Sequence, residues 1–459
     1  MTTLDVSPTP VPASPGRTPQ PDPRARRTLE ILDHLLDTYG PRDFAVRLWD
    51  GSGRDADPGQ PTRFTFVLKG PDVLYRMLVP PGKRSAGEAY LSGDVDVEGD
   101  LIEAVGIVRA MVSGLSPRKV ARLVTDVARL RPRAGNRPMP TKPGLRGRLH
   151  TPERDKVAVR YHYDVGTDFY ALWLDPRMVY SCSYFPTGEE SLAASQERKL
   201  EHICRKLRLH EGERFLDLGC GFGGLVMYAA ERHGVDATGI TLSREHGLLA
   251  QRRIRERGLE GRCRVEIMDY RQLSSDRAFD KIAGIGIIEH VGENRLPEFF
   301  GKVWSLLRPG SLFLNHGICW PGTNRAYQRA LSRLPFRRNF IHRYVFPDLD
   351  LLPLHVILRA AGRVGFEVRD VENLREHYAI TLRHWLEGLE ANWERAVEEV
   401  GRPTARLWRA YLAYSSHSFA RADINLIHTL FARPDERGRV EIPLTRADMY
   451  AAVTAEGHA

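Results

Sequence analysis

The chain is short of cysteine, of acidic residues and of long apolar runs, and each shortage excludes something. Its five cysteines, Cys182, Cys204, Cys220, Cys263 and Cys319, are scattered through 459 residues without a Cys-x-x-Cys pair. An odd, dispersed set argues against a disulfide framework or a structural zinc site and fits a reducing, cytoplasmic setting. No run of about 18 apolar residues occurs, the length a helix needs to cross a bilayer. The N-terminus also lacks the continuous apolar segment of a secretory signal. The expectation is a chain that neither spans a membrane nor is exported. Acidic residues number 58 against 67 basic ones, for a formal net charge of +9. The 42% hydrophobic content is ample for a packed core, which excludes a wholly disordered chain.

The acidic deficit is local. Arg118, Lys119, Arg122, Arg129, Arg131, Arg133, Arg137, Lys142, Arg146 and Arg148 sit together with Asp126 as their only acidic neighbour. A solvated linker, a nucleic-acid surface and an anionic-lipid surface are all compatible with such a stretch, because charge without stacking aromatics specifies no partner. Composition divides the rest. Residues 1–27, dense in Pro and Ser, read as a disordered tail. Residues 28–115 read as a small α+β domain, with Leu29, Leu32, Leu35 and Leu36 on a helix and Phe64, Phe66 and Leu68 alternating on a strand. The basic linker spans 116–150, a catalytic domain spans 151–432, and 433–459 is left as a C-terminal tail.

Within 151–432 the text repeats strand, turn and helix: RFLDLG, VDATGITL, CRVEIMDY, KIAGIGII and SLFLNHGI alternate with amphipathic stretches. That alternation predicts an α/β fold with a doubly wound, parallel sheet. Thr187 and Glu190 have capping-box spacing ahead of a helix carrying Leu192, Gln196, Leu200, Ile203 and Leu207. Leu382, Trp385, Leu386, Leu389, Trp393 and Val397 mark a further helix.

FLDLGCGFGG places Asp217, Gly219, Gly221, Gly223 and Gly224 directly after an apolar strand and before a helix. Glycines there let backbone approach a ligand at a helix N-terminus. The spacing departs from the dinucleotide GxGxxG. Acid-x-Gly-x-Gly suits a cofactor that lays a sulfonium and amino acid portion, not a pyrophosphate, over the turn.

YHYDVGTDFYALWLDPRMVYSCSYF (161–185), LDLGCGFGG, GITLSREH, MDYR, IEHVG, LNHGI, RYVFP and HYAITLRHW follow in one order, with GEAYLSGDVDVEGDL (87–101) ahead of them. Together they resemble the cyclopropane-fatty-acyl-phospholipid synthase family of S-adenosylmethionine-dependent methyltransferases, over about Arg27 to Ala432. The resemblance implies a Rossmann-like class I methyltransferase sheet. It implies Tyr180 and Ser181 at the cofactor's methionine portion, Asp217, Gly219, Gly221 and Gly223 at the turn, Thr241 and His246 toward the ribose, and Asp269 with Tyr270 at the adenine. Two departures stand out: the acidic ribose ligand usual after the second strand is missing, and His246 replaces a usual Gln. The same resemblance implies a bicarbonate site of Cys182, Glu289, His316, Ile318 through its backbone, and Tyr378. Taken singly, Cys182 reads as a small buried hydrophobe and His316 as a core histidine.

An alkene has no proton to lose before it attacks a sulfonium methyl, so the first demand is to orient a poor nucleophile away from water. Methyl transfer leaves a carbocation, and ring closure needs a base beside the new methyl group. Bicarbonate would serve, with Tyr163 or Phe169 stabilising the cation. Arg325, Arg329 and Arg333, then Phe336, Arg337, Arg338, Phe340 and Ile341, mix basic and apolar groups in a lipid-facing insertion near 320–350, suited to a peripheral position at the inner face of a membrane. The expected partner is a phospholipid bilayer with unsaturated acyl chains, and the family also suggests a homodimer. A rival outcome uses the same cofactor and lipid but gives a methylene or methyl branch. A nucleic-acid methyltransferase would carry an Asn/Asp-Pro-Pro-aromatic motif where this chain has IIEHVG, so no nucleic-acid partner is expected. A non-catalytic lipid-binding protein on a decayed fold is the remaining class.

Overall fold

Alternating burial builds the first sheet. The computed structural model describes residues 22–36, 39–79, 83–113, 123, 125–130, 139, 144–322, 343–346, 348–440 and 442–450. β1 (Ala45–Arg47), β2 (Gly53–Arg54), β3 (Phe64–Leu68) and β4 (Val95–Gly99) form a sheet in the order β2-β1-β3-β4. Phe64, Phe66 and Leu68 of β3 point into the core while the residues between them are half-buried, as a strand with one packed face requires. Phe44 stacks on Phe64 at 5.1 Å between ring centres. The helix Pro23–Leu36 covers the core with Leu29, Ile31, Leu32 and Leu35. It begins inside the expected N-terminal tail, because a Pro is tolerated in the first helical turn.

The second sheet holds the site. β5 (Arg214–Leu218), β6 (Asp236–Thr241), β7 (Cys263–Ile267), β8 (Phe279–Ile285) and β9 (Leu307–Trp320) are mutually parallel where they pair. They correspond to the five strand segments of the sequence. β10 (Leu352–Pro353) adds to β9, and β11 (Glu367–Asn373) and β12 (Asn425–Ala432) complete the order β11-β12-β9-β8-β5-β6-β7. The fold is that of a class I methyltransferase, with the small α+β unit before it. The sheet is not wholly parallel: β12 lies antiparallel to both β9 and β11. Seven of its eight residues are buried, so its apolar run looks like that of a parallel strand and carries no direction. β11 has a register irregularity between Val368 and Asp370.

Several local expectations are corrected. Thr187 and Glu190 close a turn, and the cap of the helix Leu192–Leu207 is Ser191, whose side chain accepts from Ala194 N. The late amphipathic stretch is two helices, Arg375–Ala391 and Trp393–Val400. At the junction Asn392 donates its amide to the carbonyls of Leu172 and Gly388. In the expected linker, Leu123, Val127 and Leu130 are buried and Asp126 pairs with Arg27 at 2.7 Å. In the expected C-terminal tail, Met449 is buried and Arg446 pairs with Asp370 at 2.9 Å. Residues 323–342, with Arg325, Arg329, Arg333, Phe336, Arg337, Arg338, Phe340 and Ile341, lie outside the described residues. Among the described residues no helix is long and apolar enough to cross a membrane.

Arg406, from the helix Arg402–Ala420, joins the two units. It donates to the carbonyls of Tyr90 and Val95, pairs with Asp96 at 3.1 Å, and lies 4.2 Å over the Tyr90 ring. Arg406→Met keeps much of the volume but strands two carbonyls and a carboxylate. We expect a loss of about 2 to 3 kcal/mol in chemical denaturation, with faster proteolysis of the first unit.

Candidate active site

The parallel strands end at one cavity. Its wall takes Asp217 and the turn after β5, Thr241 at the end of β6, Met268 to Arg271 after β7, and Ile285 to Ile287 with Glu289 to Val291 at the end of β8. This is the crevice where α/β sheets place ligands. Gly219 and Gly221 hold φ of +81° and +52°, conformations that side chains disfavour. The N–H groups of Gly219 and Cys220 both donate to Ile240 O, fixing the turn to β6. Gly223 does not line the cavity. It caps the helix Gly224–His233, and a Cβ there would lie 3.1 Å from Ala250 Cβ.

Tyr180, Ser181, Asp217, Gly219, Gly221, Thr241, His246, Asp269 and Tyr270 all line this cavity. Ser181 Oγ accepts from Lys199 Nζ at 2.8 Å. Asp217 is buried with Oδ1 unpartnered among the described residues. Burial raises its carboxyl to about 7 against the nearby Lys199 charge, and burial lowers Lys199 to about 8. His246 Nε2 lies 3.0 Å from Tyr163 O, its ring 3.8 Å from that of Phe222. Burial brings His246 down to about 4, so it is neutral. The carboxylate of Asp269 accepts from Arg271 N, Nε and Nη2, and Arg271 also reaches Asp155 at 3.2 Å.

Glu289, His316, Ile318 and Tyr378 line the same cavity. Cys182 does not. It is fully buried behind the wall, its thiol 3.2 Å from Ser183 O, and burial raises its pKa. Ile318 N–H was expected to face an external anion, yet it donates to Glu289 Oε1 at 2.7 Å. A buried carboxyl takes the nearest donor. Glu289 Oε2 is buried without a partner among the described residues. Burial raises Glu289 to about 7, opposed by the Ile318 N–H. Burial and then Lys199 lower His316 to about 3. Tyr163, Phe346 and Tyr411 complete an aromatic wall, whereas Phe169 packs behind it against Trp173 and Trp408.

Residues 150–429 match the family described as mycolic acid cyclopropane synthetase. The chain belongs to this family. It is 39% identical over 429 residues to a probable fatty acid methyltransferase of Mycobacterium tuberculosis, covering 90% of this chain and 96% of the relative. It is 31% identical to the cyclopropane-fatty-acyl-phospholipid synthase of Escherichia coli, covering 81% and 88%. A mycolic acid cyclopropane synthase solved with SAH and CTAB aligns with a TM-score of 0.55 at 29% identity, over 60% of this chain and 97% of that one.

Three side chains in or beside this cavity escaped the sequence reading. Lys199 is fully buried on the helix Leu192–Leu207, three residues after Gln196, whose amide donates to the carbonyls of Val179 and Ser181. That spacing was the available signal. Tyr411 sits in no motif, and His428 stands 2.7 Å from His316 within an apolar strand.

The two raised carboxyls set a pH dependence. Asp217 and Glu289 move from 3.8 and 4.5 up to about 7. The folded chain therefore keeps protons that the unfolded chain releases, and this stability, full in acid, is lost as pH rises through about 7. Thermal melts from about pH 5 to about 8 should fall less steeply for Glu289→Gln than for the natural chain.

Proposed function

We propose that the protein transfers the methyl group of S-adenosylmethionine to the cis double bond of an unsaturated phospholipid acyl chain and closes a cyclopropane ring. The observation that carries this reading is one cavity combining the glycine turn, the aromatic wall and the unpartnered, buried Glu289 Oε2. S-adenosylmethionine fits it: the positive-φ turn leaves Gly219 and Gly221 without Cβ atoms, and Asp217 Oδ1 is buried with no partner among the described residues. When bound, the cofactor supplies an electrophilic methyl group. The described residues do the rest by orientation and by keeping water out. Closely held reactants and a dry site reduce such a barrier by roughly 7 to 11 kcal/mol. The ring faces of Tyr163 and Tyr411 favour the cation on the acyl chain by about 0.5 to 2 kcal/mol each.

The proton lost on closure needs a base. Bicarbonate fits in part: Glu289, His316 and Tyr378 would hold it, whereas Cys182 stands behind the wall and Ile318 N–H is bonded to Glu289. When bound it supplies a base of moderate strength. Glu289, raised to about 7 by burial, is partly protonated near neutral pH and in that form can donate to such an anion.

A second reading keeps the cofactor and lipid but resolves the cation into a methylene or methyl branch. The 39% identity to a protein named as a fatty acid methyltransferase favours weighing it. Either way the basic excess suits attachment to an anionic membrane surface.

The test is to incubate the purified protein with S-adenosylmethionine and vesicles of cis-unsaturated phospholipid. We expect a gain of one CH2 on the acyl chain that resists mild hydrogenation. A reducible gain supports the branched product, and no gain on any vesicle overturns the lipid reading. Glu289→Gln should retain cofactor binding and lose about 100-fold or more in turnover, the scale of a displaced acid–base group.

A further inference from the structure

A row of titratable side chains crosses the sheet from the cavity to its edge. His316 on β9 is directly opposite His428 on β12, which is directly opposite Glu372 on β11. Directly paired residues share one face of a sheet. His202, from the helix Leu192–Leu207 covering that face, completes the group. His316 Nδ1 is 2.7 Å from His428 Nε2, and His202 Nε2 is 2.8 Å from Glu372 Oε2. His428 Nδ1 is buried and has no hydrogen-bond partner among the described residues. One ring nitrogen each of His202 and His428 and a carboxylate oxygen of Glu372 lie within 4.8 Å of one another. A small rotation or one bridging water spans such a gap. Beyond them, the hydroxyl of the exposed Tyr450 reaches Glu372 Oε1 at 3.4 Å.

We propose that His316, His428, His202 and Glu372 form a proton relay that carries the proton released by the reaction from the cavity to solvent at the sheet edge. The inference rests on the reading above, in which each turnover liberates one proton inside a water-poor site. His316 gains an N–H bond at Nε2 as its Nδ1–H bond breaks toward His428 Nε2. His428 then loses its Nδ1 proton toward the His202–Glu372 pair. Each hop breaks one bond to hydrogen and forms one, and water takes the proton from Glu372. His428 and His202 are positioning residues that act through His316.

The electrostatics suit passage without capture. Burial lowers both His316 and His428, with Lys199 and Lys206 adding to the effect, so neither ring retains a proton. Burial acts to raise Glu372, but hydrogen bonding to His202 and the Lys206 charge bring it down to about 2, so it stays ionised and passes the proton on. His202, Glu372 and His428 also have the donor types of a metal site. Lys206 Nζ, however, lies 2.7 Å from the Glu372 oxygen that His202 bonds, and 2.6 Å from Asp370. That fixed positive charge works against a cation there. Arg446 on Asp370 and the rings of Tyr184 and Tyr450 on His202 are the other neighbours.

His428→Gln and the more peripheral Glu372→Gln test the relay on the full chain with S-adenosylmethionine and unsaturated phospholipid vesicles. We expect each to bind S-adenosylmethionine with unchanged affinity, to turn over about 10-fold or more slowly, to show a larger solvent deuterium isotope effect, and to recover part of the rate with imidazole buffer. Natural turnover in both variants would overturn the relay. So would a loss that imidazole does not restore and that leaves the isotope effect unchanged, since a positional effect on His316 would then suffice. A substrate-free measurement separates this from the function itself. In protein labelled with 15N-histidine, His202→Phe should slow exchange of the His316 ring proton with water, and unchanged exchange overturns the relay whatever the lipid product. An unmodified lipid with the natural chain counts against the function alone.

Discussion

Burial of titratable side chains around one cavity is the constraint on which the rest of the molecule depends. Burial is the largest cause that raises Asp217 and Glu289 to about 7 and that lowers His246 and His316. A charged group in such surroundings costs several kcal/mol unless it is paired. The fold answers with a wall of rings, Tyr163, Tyr180, Phe346 and Tyr411, and with Lys199, whose charge faces the acids without a carboxylate bonded to it directly. On the proposed reaction, surroundings that keep the protein's own groups neutral would also shelter a cationic intermediate from water.

The first unit contributes to that burial. Its core is continuous with the residues in and behind the cavity wall: Phe64, Leu74 and Ile102 belong to the same apolar cluster as Tyr378 in the wall and Phe169, Trp173, Trp385 and Leu412 behind it. Arg406 and Arg409 close the seam, Arg409 bonding Glu390 and the Tyr90 hydroxyl. The helix Arg402–Ala420 thus has two roles: Tyr411 lines the cavity, and Arg406 and Arg409 anchor β4 of the first unit.

Much of this was legible from the chain alone, for physical reasons. Parallel strands covered on both faces write themselves as short apolar runs, and the turn after β5 needs glycine at two positive φ angles, so both leave plain marks. The residues named through the resemblance gather at one cavity, except Cys182 and Gly223, which stand behind it. What was not legible was polar and buried. Lys199 and Lys206 look like the solvated face of an amphipathic helix, yet both are enclosed. Their partners, Ser181 for one and Asp370 with Glu372 for the other, are remote in sequence or on another element. The direction of β12 was also hidden, since side-chain alternation is the same read forwards or backwards.

That reversed strand makes parity a property of the active site. From Ile427 to Ala432 each residue of β12 faces a fixed partner on both sides, His428 against His316 and Glu372, with Ile427 and Thr429 turned to the other face. Strand faces alternate with a period of two, so a shift of a single residue inverts them all. An insertion in the loops flanking β12 can be absorbed by slack chain. One inside the strand would bring Ile427 or Thr429 into the row and turn His428 away, leaving an apolar or hydroxyl side chain between two groups that it now connects. Length variation in this protein is therefore free at the ends of β12 and closed within its eight residues.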